Sequence, residues 1–181
     1  MNQYSCVITG HRPTRFCFKC NEEHPLCKEI KQCLIEQFQM LYKEKNVYRF
    51  YVGGALGVDM WAGEELLKLK QQPGYEKIEL IIALPFIGHD AKWSEQDQQR
   101  LKNLIQRATE CIVISHSSDK SCYKKRNFYM VDHADYLIGV FDNQRKMRSG
   151  TSQTVNYALR QEKQVTLIHP DTAVPTSYSL K

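Results

Sequence analysis

At three points in this chain an apolar, β-prone run ends in glycine, arginine or hydroxyl residues. The longest is Val52-Gly53-Gly54-Ala55-Leu56-Gly57-Val58-Asp59-Met60-Trp61, between the run Tyr48 to Val52 and a segment with helical spacing at Val58, Ala62, Leu66 and Leu69. Glycines let a backbone approach a ligand closely, and the first N–H groups of a helix lack partners inside it. A strand, a glycine turn and a helix in succession therefore form an anion site. The spacing Gly-Gly-x-x-Gly matches neither the dinucleotide fingerprint nor a P-loop, and a plain structural turn is the competing reading. The second point is Gly10, followed by His11, Arg12 and Pro13. A guanidinium there suits a phosphate, against a surface Arg beside a stiffened loop. The third is Ser149-Gly150-Thr151-Ser152, which follows the strand-like Asp135 to Phe141 and opens a helix with Val155, Ala158 and Leu159 inward.

Other side chains invite a chemical reading beside a bland one. Asp59, at the start of a helix, either caps free N–H groups or holds a ribose hydroxyl. Glu64, one turn on, is the next candidate acid, against a solvated or Arg-paired carboxylate. Lys124, Lys125 and Arg126 sit at the beginning of a helix, where the dipole disfavours cations, so an anion there would compensate. Phe86 or Trp93 could stack on a base or simply pack a loop down. His89 reads as a solvent-facing or helix-end residue. Cys17, Cys20, His24 and Cys27 match a zinc ligand set only loosely, and unpaired thiols in a loop are the stronger reading.

These residues need a scaffold, and the periodicities supply one. Expected helices run over Pro25 to Lys45, from Val58 until the pattern fades by Gln71 to Gly74, Trp93 to Arg107, Tyr123 to His133, and after Ser149. Expected strands run over Tyr4 to Thr9, Tyr48 to Val52, Ile78 to Leu84, Cys111 to Ser115, Asp135 to Phe141 and Val165 to Ile168. Asn143 to Arg148 is polar with three cations, and residues 170–181 read as a polar tail. Alternating strands and helices predict a single-domain Rossmann-like α/β fold over residues 1–181, with a mainly parallel sheet of five to six strands between two helical layers. Every glycine turn named above then falls on one rim, where open α/β sheets bind ligands.

Composition agrees with a soluble globular chain. It has 181 residues, 42% apolar and 25% charged, and no apolar run approaches the roughly 20 residues of a membrane span. The opening residues lack a signal-peptide pattern, and seven cysteines, an odd number, suit a reducing cytoplasm. A net charge of +5 favours an anionic ligand, but the cations are scattered, so nucleic acid is permitted rather than indicated. Nothing points to a membrane partner, and a homo-oligomer is open.

The segments Ile8-Thr9-Gly10-His11-Arg12-Pro13, Gly53 to Ala62, Arg126-Asn127-Phe128-Tyr129-Met130-Val131-Asp132 and Ser149-Gly150-Thr151 resemble the YpsA-like family of the SLOG superfamily, which includes DprA and the LOG enzymes. The likeness runs from Val7 to about Ile168. It implies a Rossmann-like pocket for a nucleotide-derived ligand, with Gly10, Arg12, Gly53, Gly54, Asp59, Arg126, Asn127, Gly150 and Thr151 at matching positions. LOG enzymes carry Pro-Gly-Gly-x-Gly-Thr-x-x-Glu, whose Glu serves glycosidic cleavage; here Thr154 stands at that place and Ser149 replaces the first glycine of the turn. The leading expectation is a sensor or regulatory module that binds a nucleotide-derived phosphate ligand. The alternatives are a nucleotide N-glycosidic hydrolase relying on Asp59 or Glu64, and a DprA-like interaction with single-stranded nucleic acid.

Overall fold

A computed structural model describes residues 3–144 and 148–178. The cation-bearing stretch before Ser149 lies partly outside them. Seven strands form one sheet: β1 (Tyr4–Gly10), β2 (Val47–Val52), β3 (Glu79–Leu84), β4 (Glu110–Val113), β5 (Tyr136–Val140), β6 (Gln164–Ile168) and β7 (Pro175–Tyr178). Their order is β4-β3-β2-β1-β5-β6-β7, with β1 to β6 parallel and β7 antiparallel to β6. The chain thus builds outward in one direction from β1, then returns to lay β5 on the other side. The gap between the C-terminal ends of β1 and β5 is the switch point of the sheet.

Five helices cover the two faces: α1 (Pro25–Lys45), α2 (Val58–Lys70), α3 (Glu95–Arg107), α4 (Ser121–Asp132) and α5 (Gly150–Arg160). Because successive residues of a strand face opposite ways, Cys6 and Ile8 of β1 join α1, α2 and α3 in one apolar cluster, while Val7 joins α4 and α5 in the other. The helix α2 is buried nearly all round, with Trp61 only 1% exposed, because it lies between the sheet, α1 and α3. The helix α1 starts at Pro25, and the His24 imidazole accepts a hydrogen bond from Leu26 N; it ends at Asn46 in the left-handed region (φ 55°).

The sheet exceeds the expected five to six strands because residues 175–178 of the polar tail pair with β6. An edge strand open to solvent needs no alternating apolar pattern, so its sequence does not announce it. Elsewhere helix and strand ends fall within about two residues of expectation, the usual fraying of such boundaries. Among the described residues no helix is long and apolar enough to cross a membrane.

Candidate functional site

At the switch point lies a hollow of about 390 Å³. The end of β1 contributes Thr9 and Gly10, and the loop after it His11, Arg12, Thr14 and Arg15. The glycine turn and α2 supply Ala55 and Asp59. One face of α4 supplies Tyr123, Arg126, Asn127 and Met130, and the start of α5 supplies Ser149, Gly150 and Thr151.

Of the residues predicted from sequence, Gly10, His11, Arg12, Asp59, Arg126, Asn127, Gly150 and Thr151 meet here; Gly53, Gly54, Gly57 and Glu64 do not line the hollow. The glycines serve the turn itself. A Cβ on Gly53 would run into Arg126 and Asp59, and Gly54 (φ 64°) and Gly57 (φ 87°) occupy backbone that favours glycine. Gly57 also lets the turn close on the β1 loop, where Val58 N donates to His11 O at 3.4 Å. The central glycine cluster therefore anchors the turn that brings Ala55 and Asp59 to the hollow.

What it anchors is a buried pair of opposite charges. Arg126, 5% exposed, donates through Nη1 to the carbonyls of Gly53 and Ala83, the latter at 3.3 Å, and through Nε to Asn127 Oδ1 at 2.7 Å. Asp59 Oδ2 accepts from Gly53 N at 3.0 Å and Ala55 N at 3.4 Å. Asp59 thus holds the turn before its helix; α2 has no side-chain cap. Burial raises the Asp59 pKa, against the pull of Arg126, and burial lowers that of Arg126, against the pull of Asp59.

The remaining charges sort clearly. Arg15 is committed to Asp142 at 2.6 Å and Asp171 at 3.6 Å, whereas Arg12 is exposed, with Cζ 5.9 Å from the Tyr123 ring. His11 is 8% exposed between Phe16 and Phe141, and burial, then Arg15, lowers its pKa, so it stays neutral at pH 7. At the start of α5, Ser149 Oγ accepts from Ser152 N at 3.0 Å, and the amides of Gly150 and Thr151 precede the first bonds of the helix. A Cβ on Gly150 would meet nothing nearer than Asn127 Nδ2 at 3.8 Å, so the space above that amide is open. An exposed guanidinium, a buried one and a helix N-terminus face a single cavity, an arrangement that favours an anion.

Other candidates lie elsewhere. Glu64 binds Arg100, which also reaches Glu22 at 2.6 Å, so its carboxylate is spent in an ion-pair cluster between α2 and α3. Thr154, fully buried, donates its hydroxyl to Gly150 O at 2.7 Å and is turned into its own helix. The loose zinc set does not converge: the His24 Nδ1 caps α1, Cys27 is buried with its pKa raised to about 11, and Cys17 and Cys20 are exposed. Among the described residues no three His, Cys, Asp or Glu side chains form a metal-holding group. His89 corrects the solvent-facing reading: it is half-buried, its Nε2 lies 3.1 Å from Gly54 O, and burial lowers its pKa. Phe86 and Trp93 pack edge-on against its ring. Lys124 and Lys125 are solvated, and Asp119, accepting from Ser121 N at 2.7 Å, supplies the negative group that the start of α4 lacks.

Tyr123 and Met130 were missed from sequence. With Arg126 and Asn127 they recur at steps of three and four residues, so an Arg known to face the rim would have implicated both.

Residues 6–173 match a family model described as the YspA SLOG family. The chain belongs to this family. The chain is similar to the uncharacterized SPbeta prophage-derived protein YoqJ of Bacillus subtilis, 31% identical over 163 residues, which cover 82% of this chain and 92% of that one. A UPF0398 protein of Staphylococcus epidermidis is 28% identical over 144 residues, covering 77% and 73%. In fold the chain is similar to DNA processing protein A from Helicobacter pylori, for which a single-stranded DNA binding mode has been described. The TM-score is 0.57 at 20% identity over 91% of this chain; the match spans 64% of that longer one.

Proposed function

We propose that this YspA SLOG protein binds a nucleotide-derived phosphate ligand in the hollow between β1 and β5, as a cytoplasmic sensor or regulatory module. The observation that carries this reading is the convergence of Arg12, Arg126 and the open α5 N-terminus on a cavity of about 390 Å³ at the switch point of a parallel sheet. That volume lies in the range of small-molecule sites. Arg12 and the Gly150 and Thr151 amides would hold the phosphate. Arg126 has most of its donors engaged and would add charge from behind.

The test is a thermal-shift panel of mononucleotides, dinucleotides and ADP-ribose on the wild type and Arg12→Ala. Arg12 is exposed, so its loss leaves the fold intact. A ligand that raises Tm of the wild type and not of the variant supports the site, since binding to the native state alone raises apparent stability. Equal shifts in both proteins would reject it.

One observation favours an enzymatic reading: Asp59 is the one carboxylate among the described residues lining the hollow, and burial raises its pKa, as in a general acid for N-glycosidic cleavage. Asp59→Asn with undiminished nucleotide turnover would dismiss it. The fold shared with DNA processing protein A favours single-stranded DNA instead. Filter binding without salt-dependent retention would count against that.

A further inference from the structure

The hollow does not stand alone on the rim. Tyr123, which lines it, meets Phe86 edge-on, with ring centroids 5.8 Å apart at 84°. Beyond Phe86 a second hollow of about 360 Å³ opens between the segments that follow β3 and β4, lined by Phe86, Ile87, Ser115, His116, Ser117 and Ser118. Both hollows lie at the C-terminal ends of parallel strands, and the two aromatic rings form the ridge between them. The ridge is braced from behind, because Phe86 also meets the ring of His89, which is held at Gly54 O.

The chemistry of the two differs. The first is cationic, as described. The second has neither Lys nor Arg among its described lining residues, and offers an aromatic ring, an imidazole and hydroxyls. The nearby Asp119 is occupied by Ser117 Oγ at 2.9 Å and Ser121 N at 2.7 Å. A hydrogen-bonding hollow beside an aromatic face, with neither Lys nor Arg in its described lining, suits a nucleobase, whereas the first suits a phosphate.

We propose that the Phe86–Tyr123 ridge is a stacking platform between two adjoining subsites, so that the bound ligand carries two nucleotide units joined through phosphate. This rests on reading the first hollow as a nucleotide site. Either a free dinucleotide with a pyrophosphate link or a phosphodiester-linked stretch of single strand has that chemistry.

Competition binding on the intact protein tests it, with adenosine monophosphate, a pyrophosphate-linked diadenosine and a phosphodiester-linked diadenylate as probes. The wild type is expected to bind one of the two-unit probes at least tenfold more tightly than the monophosphate, and which of the two wins identifies the source. Phe86→Ala removes the ridge and Ser118→Glu puts a charge in the second hollow. Each should bring the two-unit probe down to the affinity of the monophosphate. Equal affinity for one and two units in the wild type, or an equal loss for both in the variants, overturns the inference while leaving the first hollow standing. No binding of any probe removes the nucleotide reading of the first hollow and this inference with it.

Discussion

At the scale of single residues, two glycines that look alike in sequence do opposite work. A methyl group on Gly53 meets the guanidinium of Arg126 and the carboxylate of Asp59, both buried and neither able to leave without losing its partner. Gly53→Ala is expected to cost about 3 kcal/mol of stability, from overpacking and a disturbed buried pair, read by urea denaturation. A methyl on Gly150 meets only Asn127 Nδ2, at an ordinary contact distance of 3.8 Å, so Gly150→Ala should leave the stability of the free protein within about 0.5 kcal/mol of the wild type. It should still weaken the thermal shift given by a phosphate ligand, because the methyl stands over the amides at the start of α5. An unchanged ligand shift in Gly150→Ala would move the phosphate elsewhere in the hollow. The sequence marks both glycines as turn residues but does not separate them, since the difference lies in what a Cβ would touch.

At the scale of elements, the loop that carries Arg12 into the hollow is tied down at its far end. Phe16 and Phe18 stack at 5.0 Å and pack on Trp61, and Glu22 accepts from Lys31 of α1 and Arg100 of α3, each at 2.6 Å. Arg100→Ala leaves Glu22 and Glu64 facing a lost cation, and is expected to cost about 2 kcal/mol after discounting for partial exposure. Faster proteolysis between residues 13 and 24 would follow. The Cys-x-x-Cys of this loop leaves Cys17 and Cys20 exposed and free, and the aromatic anchors around it hold the loop in place. At the other end of the sheet, β7 covers the edge of β6. Ending the chain at residue 173 should expose that edge and promote concentration-dependent association, measurable by light scattering. A truncated protein that stays monodisperse with an unchanged midpoint would make β7 dispensable.

At the scale of the whole molecule, buried titrating groups predict how stability responds to acid. His11 and His89 have folded-state pKa values below the ordinary 6.5, burial being the larger cause in each. Their depressed values mean that the native state resists protonation, so their contribution is complete above pH 6.5 and is lost as pH falls through the folded values. Glu22, lowered to about 2 because Arg100 and Lys31 outweigh its burial, contributes above pH 4.5 and loses that contribution as pH falls toward 2. Thermal midpoints should therefore decline in two stages on acidification, and His89→Gln should flatten only the upper one. A midpoint constant from pH 7 to 5 would refute the histidine assignment. By itself the sequence determined the alternation of strands and helices, the long α1 with its Pro start, and the loops able to turn tightly, because these follow from local periodicity and backbone freedom. It also placed Arg12 and the α5 start beside strand ends. Only the tertiary structure decided that β5 lies next to β1, so that the first and third turns share a hollow, to which the second turn adds Ala55 and Asp59 while its glycines brace Arg126 and Asp59. Periodicity states which face of an element is buried, not against which partner. Burial, charge pairing and hydrogen-bond commitment belong to the partner.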